Sequence, residues 1–356
     1  MAVRHGYGKI AGTDALVFAY DTGDTRNSYK GKPTTNFISN PTEEMPRGEF
    51  GQYRDLAPTF ETYGLVPYSL SMDIKANKPG NVYVYMQNGS TSRHGFVGAN
   101  VSATTEYQRF YFENLTPTLN DPGTAASTLA TYTGYGSGVN PTVKNIQLEL
   151  GAYSTPFVSG TRSSTQGLLD ITGNYSIDLS NVSFDSNAMI DFDGTNDFIT
   201  LANTDLRPGF TLETVCYPEA ATFAVWGQGP TIANRGLHIV ATNSYRGFVY
   251  GMYANDRDYG NYIPTLNQWY HWVFTYNGTS FVKEFFANGQ KQTPTASVQN
   301  EWIEGSSALR LGTNYGSTTS YSKANGKIAV AKYYNRPLTD AEIVSNYRHY
   351  KTRFNI

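Results

Sequence analysis

The 356-residue chain sets 27 Lys and Arg against 29 Asp and Glu, a net charge of −2, and only 16% of its residues are charged. That balance, with no basic run, excludes the electrostatic footprint of a nucleic-acid binder. No apolar stretch is long enough to enter a membrane as a spanning helix, and Met1–Gly8 lacks the apolar segment of an export signal.

The length suffices for two domains with separate cores. Gly, Thr, Asn and Ser are abundant, and the 28 Tyr and 19 Phe point to short strands with many turns. Ala15–Tyr20 is the first apolar run, followed by Asp21-Thr-Gly-Asp-Thr-Arg-Asn-Ser-Tyr29. From Thr35-Asn-Phe-Ile-Ser-Asn-Pro41 a different pattern begins. Tyr68, Leu70, Met72 and Ile74 alternate with Ser69, Ser71, Asp73 and Lys75, which predicts a strand with one buried face. Lys78-Pro-Gly-Asn81 supplies a turn. Val82, Val84 and Met86 then alternate with Tyr83 and Tyr85; Glu106–Phe112 is a third strand, and Ile146, Leu148 and Leu150 mark a last one.

Beyond Thr161, strands are predicted near 189–193, 197–201, 210–217, 237–241, 247–253, 269–276, 281–287, 308–312 and 326–334. Thr339-Asp-Ala-Glu342 is a capping box, and Ile343, Tyr347 and Tyr350 follow at helical spacing.

Four segments carry a family resemblance. They are Ile190-Asp-Phe-Asp-Gly-Thr-Asn-Asp-Phe-Ile-Thr-Leu201, Phe210–Pro218, Trp269–Gly278 with Phe286-Ala-Asn-Gly289, and Gly326–Leu338. Together they resemble the concanavalin A-like, laminin-G-like jelly roll. Leu168-Leu-Asp-Ile-Thr-Gly-Asn-Tyr175 resembles that family's Asp-Leu-Ser-Gly-Asn element, with Thr172 in place of Ser. Ala15–Tyr20 and its Ser-Tyr turn resemble the opening strand of phage laminin-G-like proteins. The block between them, ending in Val143–Gly151 and a Thr155-Pro-Phe157 exit, is similar to carbohydrate-binding modules of the galactose-binding-like type.

The expected fold is therefore all-β: two β-sandwich (jelly-roll) domains and one short C-terminal helix. Residues 1–34 and 160–356 would form a discontinuous sandwich, with 35–159 an inserted sandwich. Insertion requires only that the inserted domain's ends lie close together. A short N-terminal arm followed by two tandem domains also fits the pattern.

Related sandwiches include glucanases, which place two carboxylates about 5–5.5 Å apart on one strand face. The corresponding Glu-x-Asp-x-x-Glu spacing is absent: Glu213 and Glu284 stand alone, and Glu301 and Glu304 flank Trp302-Ile303. No Gly-x-Ser-x-Gly elbow is present. A non-enzymatic protein is expected. One Cys and five His leave little material for zinc. Cys216 reads as a buried inert thiol, His271 as a structural histidine and Trp226 as core. No cofactor is required; the candidate is calcium at Asp191, Asp193 and Asp197, since that ion wants six to eight oxygens. The reading favoured for the same Asp-Gly-Thr-Asn-Asp stretch is a hairpin turn whose side chains bond their own backbone.

Sugar binding would use exposed aromatic faces flanked by planar polar groups. Two clusters qualify. One is Tyr253, Asn255, Arg257, Asp258, Tyr259 and Tyr262, within a stretch that reads as a loop after a strand. The other is Tyr83 and Tyr85, with Tyr107 and Tyr111 as further candidates. Core packing or a protein–protein interface would use the same residues.

The resemblance implies a bacteriophage virion structural protein: a head decoration, collar or fibre component made in the host cytoplasm and located in the virion. Its expected partners are other virion proteins, capsid or tail, and glycans, within a homo-oligomer on the particle. A soluble or cell-surface bacterial lectin and a glycan-degrading enzyme are the competing readings.

Overall fold

The computed structural model describes residues 10–87, 94–95, 98–119, 128–303, 307–315 and 323–356. The chain divides into two compact units: Met1–Lys30 with Ser164–Asp185 and Met189–Ile356, and Gly31–Ser163 with Ser186–Ala188. Both are built from antiparallel sheets, and the fold is all-β with a C-terminal helix.

In the larger unit an eight-stranded sheet has Asn325–Tyr334 near its centre, flanked by Gly209–Pro218 and Tyr270–Asn277 on one side. The other edge of Asn325–Tyr334 is shared. Ile190–Asp193 pairs with its beginning, and Leu16–Asp21 pairs with its second half, Leu16 opposite Tyr334 and Asp21 opposite Val330. A seven-stranded sheet runs from Ile199–Asn203 through Phe223–Gln228, Leu237–Ala241 and Phe248–Met252 to Ala296–Ser297. The core includes Phe18, Tyr20, Phe192, Phe210, Trp226, Trp272 and Trp302. Phe248, Phe274 and Phe285 stack within it, with ring centroids 4.6 to 5.5 Å apart. Cys216 is fully buried and free, and burial pushes its thiol pKa well up, as for an inert core residue.

Asp170 explains the Leu168–Tyr175 element. Its carboxylate accepts from the amides of Ala19 (2.9 Å), Thr172 (3.0 Å), Asn174 (3.0 Å) and Tyr175 (3.0 Å), and from the Thr172 hydroxyl (2.6 Å). One buried side chain thus fastens the first strand to a segment about 150 residues later, at a sequence separation of 151. Nearby, the Lys30 amide donates to Gly167 and the Leu169 amide to Ser28, so the departing and returning chain run side by side.

The C-terminal helix spans Asp340–Phe354 with both capping-box bonds at Thr339 and Glu342. Ile343 and Tyr350 are buried, as the spacing predicts, but so is Asn346. Gly209–Pro218 is buried on both faces, because Val215, Val330 and Tyr350 pack together opposite the main core.

In the second unit, Phe50–Asp55, Thr128–Tyr132, Gly80–Gln87 and Ala99–Ala103 form one sheet; Met45–Pro46, Pro141–Leu150, Tyr68–Ala76 and Gln108–Leu115 form the other. Tyr68, Leu70, Met72 and Ile74 are all fully buried against Val82, Val84 and Met86, as their alternation predicts, but Ser69 and Ser71 on the other face are buried too, so the strand does not have a single buried face. A helix over Ala57–Tyr63 was not foreseen, although Pro58 near its start and Gly64 after its end are its usual signals.

The entering and leaving segments of this unit are tied together. Thr34–Thr35 pairs with Thr161–Arg162. The fully buried Glu149 carboxylate accepts from the Thr34 hydroxyl, the Gln147 amide, the Thr155 amide and the Thr155 hydroxyl, each at 2.7 Å. Replacing Glu149 by alanine strands these donors and is expected to cost about 3 kcal/mol. Limited proteolysis should then cut first around residues 31–35 and 155–163; an unchanged cleavage pattern would show that the clasp is not needed.

Candidate carbohydrate-binding face

The outward face of the sheet holding Gly80–Gln87 carries a band of aromatic rings. Val82, Val84 and Met86 point into the core, so Tyr83 and Tyr85 must point out; their rings stack 5.0 Å apart at 20°. Register extends the band. Tyr132 lies opposite Tyr83 on one side and opposite Phe50 on the next strand, while Asn100 lies opposite Tyr83 on the other side. Phe50, Tyr132, Tyr83 and Asn100 therefore form one row across four strands, about 14 Å wide at ordinary strand spacing. Gln52 on the same edge strand as Phe50, and Asn100 at the far end, are exposed amides flanking the rings.

The loop after Tyr132 adds a fifth ring. Tyr135 is 82% exposed, its amide donates to the Tyr132 hydroxyl at 3.3 Å, and the two rings meet edge to face at 5.5 Å. Gly134, Gly136 and Gly138 all have positive φ, which lets this loop fold tightly. The Glu49 carboxylate accepts from the amides of Gly136 and Gly138 and fixes it, and these bonds hold its pKa below the usual range. The Tyr85 phenol is shifted up by partial burial and then by Tyr83, Tyr135 and Tyr132, so the four hydroxyls lie within electrostatic reach of one another. Such a rigid surface offers ring faces for sugar C–H groups and amides for hydroxyls. Tyr107 and Tyr111 do not join it: they flank and lie on the opposite sheet, where the Lys144 ammonium stands 3.8 Å from the Tyr107 ring centroid.

The second expected cluster comes apart. What reads as a loop contains a strand, Asp256–Tyr259, paired on both edges. Its polar side chains are used internally. Asn255 is fully buried; its backbone and side-chain oxygens each accept from Lys283 Nζ at 2.6 Å, and its side-chain amide donates to Asn300 at 2.9 Å. Arg257 donates to the Lys283 carbonyl, and Asp258 accepts from Arg246 at 2.6 and 2.9 Å. Tyr259 is buried, and Tyr262 accepts from the Trp272 indole at 2.9 Å. Only Tyr253, 40% exposed with a left-handed φ of 40°, presents a ring. These six residues form no common surface, because Asn255 and Tyr259 are buried and the polar groups of Arg257, Asp258 and Tyr262 are bonded to neighbouring residues.

Two of the three calcium candidates are likewise occupied. Asp193 accepts from the amides of Thr195 (2.7 Å) and Asn196 (3.2 Å) in its own turn. Asp197, 3% exposed, accepts from the amides of Ser183 and Asp193, both at 3.0 Å. Asp191 feels Glu219, Lys327 and Asp185 instead, and burial followed by Glu219 raises its pKa. Among the described residues no group of three or more His, Cys, Asp or Glu side chains is placed to hold a metal ion.

His271 meets Glu213 in a sealed network. Glu213 accepts from His271 Nε2 (2.9 Å), Lys332 Nζ (3.4 Å), Tyr334 Oη (2.8 Å) and Asn346 Nδ2 (2.9 Å). Burial alone would raise the Glu213 pKa; Lys332, His271 and Tyr334 outweigh it and hold it near about 2.

Residues 193–344 match a family model described as the concanavalin A-like lectin/glucanases superfamily. The larger unit carries a lectin/glucanase-type sandwich. No curated protein matches the chain. Among solved structures, the chain is similar to a Trypanosoma rangeli sialidase (17% identity, TM-score 0.39), over 51% of this chain and 30% of that one. It is similar to domain 4 of an extracellular arabinanase from Geobacillus stearothermophilus in complex with arabinotriose (15%, TM-score 0.38), over 52% and 93%. The Botulinum neurotoxin serotype D binding domain also resembles it (11%, TM-score 0.35), over 52% and 49%. The chain thus spans less than a third of the sialidase.

Proposed function

We propose that the chain is a non-enzymatic, glycan-adhering structural protein of a bacteriophage particle, with the tyrosine band of the second unit as its sugar-contacting face. The observation that carries the adhesive reading is the row of Phe50, Tyr132, Tyr83 and Asn100, extended by Tyr85 and Tyr135 on a loop fixed by Glu49. Two features are consistent with the non-enzymatic reading: Glu213 is sealed in its network, and the sequence lacks the paired-carboxylate spacing of glucanases. The single buried cysteine makes the fold independent of an oxidising compartment, as suits a protein assembled in a host cytoplasm. On a particle, capsid or tail proteins and further copies of the chain would be its partners. Many copies would turn a weak, near-millimolar single contact into firm adhesion.

A glycan array on the full chain tests the reading. Binding is expected, and the double variant Tyr83→Ala/Tyr132→Ala should weaken it by about ten-fold per ring lost while leaving the melting temperature close to the parent's. Because Asp193 and Asp197 bind amides, chelation of calcium should change nothing. Silence across the array, or binding untouched by the double variant, would overturn the glycan reading. Immunogold labelling of phage particles tests the virion role, and unlabelled particles would refute it.

A further inference from the structure

A cleft of about 240 Å³ opens in the lectin-like unit near the end of its C-terminal helix. Trp269, Phe354, Met189 and Ile328 line its apolar wall. The Trp269 ring is fixed by Tyr217 at 5.2 Å and Phe354 at 4.7 Å, and Met189 is 40% exposed.

The two cations at the cleft retain donor capacity. Lys327 Nζ lies 3.9 Å from both Asp185 and Glu219, beyond hydrogen-bond range, so among the described residues its ammonium protons remain available. Arg353 gives Nη1 to both oxygens of Asp21 at 2.7 Å, and its Nη2 edge faces Gly23, where any side chain would collide with it. Asp185 also lines the cleft, its Oδ1 accepting the Met189 amide at 3.0 Å. Each cation sits beside acids, so neither an anion nor a cation is favoured. A neutral ligand with an apolar face and several hydroxyls fits all of these groups. The volume, below the ~300 Å³ at which drug-sized sites begin, admits one ring and no more.

We propose that this cleft binds a single neutral sugar ring, the end residue of a glycan, stacked on Trp269 with its hydroxyls held by Lys327 and Arg353. The site is separate from the tyrosine band and does not depend on it.

Tryptophan fluorescence reads this site selectively. Trp226, Trp272 and Trp302 are fully buried, Trp269 is half-buried, and the tyrosine band contains no tryptophan. The full chain would be titrated with glucose, galactose, mannose, N-acetylglucosamine and rhamnose, to several times the millimolar Kd expected of a one-ring site. At least one sugar should give a saturable emission shift. Lys327→Ala should weaken it about ten-fold, as should Met189→Phe, which fills an exposed side of the cleft. Tyr83→Ala/Tyr132→Ala should leave it unchanged. No shift with any of the five sugars, a shift that survives both cleft variants, or one lost in the tyrosine variant would overturn the proposal. If the tyrosine band fails on the array while the fluorescence shift persists, only the band is refuted.

Discussion

Glu213→Leu is expected to destabilise the lectin-like unit by about 3–5 kcal/mol, because it leaves the Lys332 ammonium buried without a counter-charge. Lys332 is 2% exposed, and the Tyr334 hydroxyl and Asn346 amide lose their acceptor at the same time. Thermal unfolding of the full chain should show the corresponding transition falling by about 10 °C. A second change decides the cause. Glu213→Leu/Lys332→Met removes both charges and should regain most of the loss, since apolar replacements of buried pairs are often neutral. A single variant within about 1 kcal/mol of the parent, or a double variant no better than the single, would sink this account.

The same residue sets an acid limb. The Glu213 carboxyl is held at about 2 against an ordinary 4.5, so the unfolded chain takes up a proton before the folded one does. Its contribution is therefore complete above pH 4.5 and drains away as pH falls from 4.5 toward 2. The melting temperature of the parent should drop through this window, and in Glu213→Gln the Glu213 share of that drop should vanish.

Asp170→Ala is the second large effect, expected at about 3–5 kcal/mol. The carboxylate serves four amides and a hydroxyl, and one of those amides belongs to the strand Leu16–Asp21. Without it the first strand should exchange its amide hydrogens much faster than Gly209–Pro218 does. Uniform exchange in the variant would mean that pairing with Asn325–Tyr334 alone holds the strand. Asp170→Asn should recover only part of the loss, because a side-chain amide has one acceptor oxygen where the carboxylate has two.

The alternation of Tyr68–Lys75 and of Val82–Met86 gave both the strands and their buried faces, since period two leaves only one way to orient such a strand. The capping box gave the helix start. The strand Asp256–Tyr259 was missed because its charged residues read as a loop; they are tolerated where they lie because Arg246 bridges Asp256 and Asp258 at 2.7 and 2.6 Å. Asn346 was missed for a similar reason, as a buried amide on a helix is explained only by Glu213 on a distant strand.

The candidate site was half legible. Tyr83 and Tyr85 are outward by alternation alone, whereas Phe50, Tyr132 and Asn100 join them only through strand register, which no local pattern encodes. By itself the sequence determined the strands, the tyrosine pair and the capped final helix, because those depend on periodicity and on neighbours a few residues away; the sandwich class came from the family resemblance. The tertiary structure alone decided which polar side chains are exposed for a ligand and which are consumed: Asn255, Asp193 and Asp197 look like ligands in one dimension. They are bound to amides and ammonium groups in three, because a folded chain must satisfy its buried donors before it can offer acceptors to anything else.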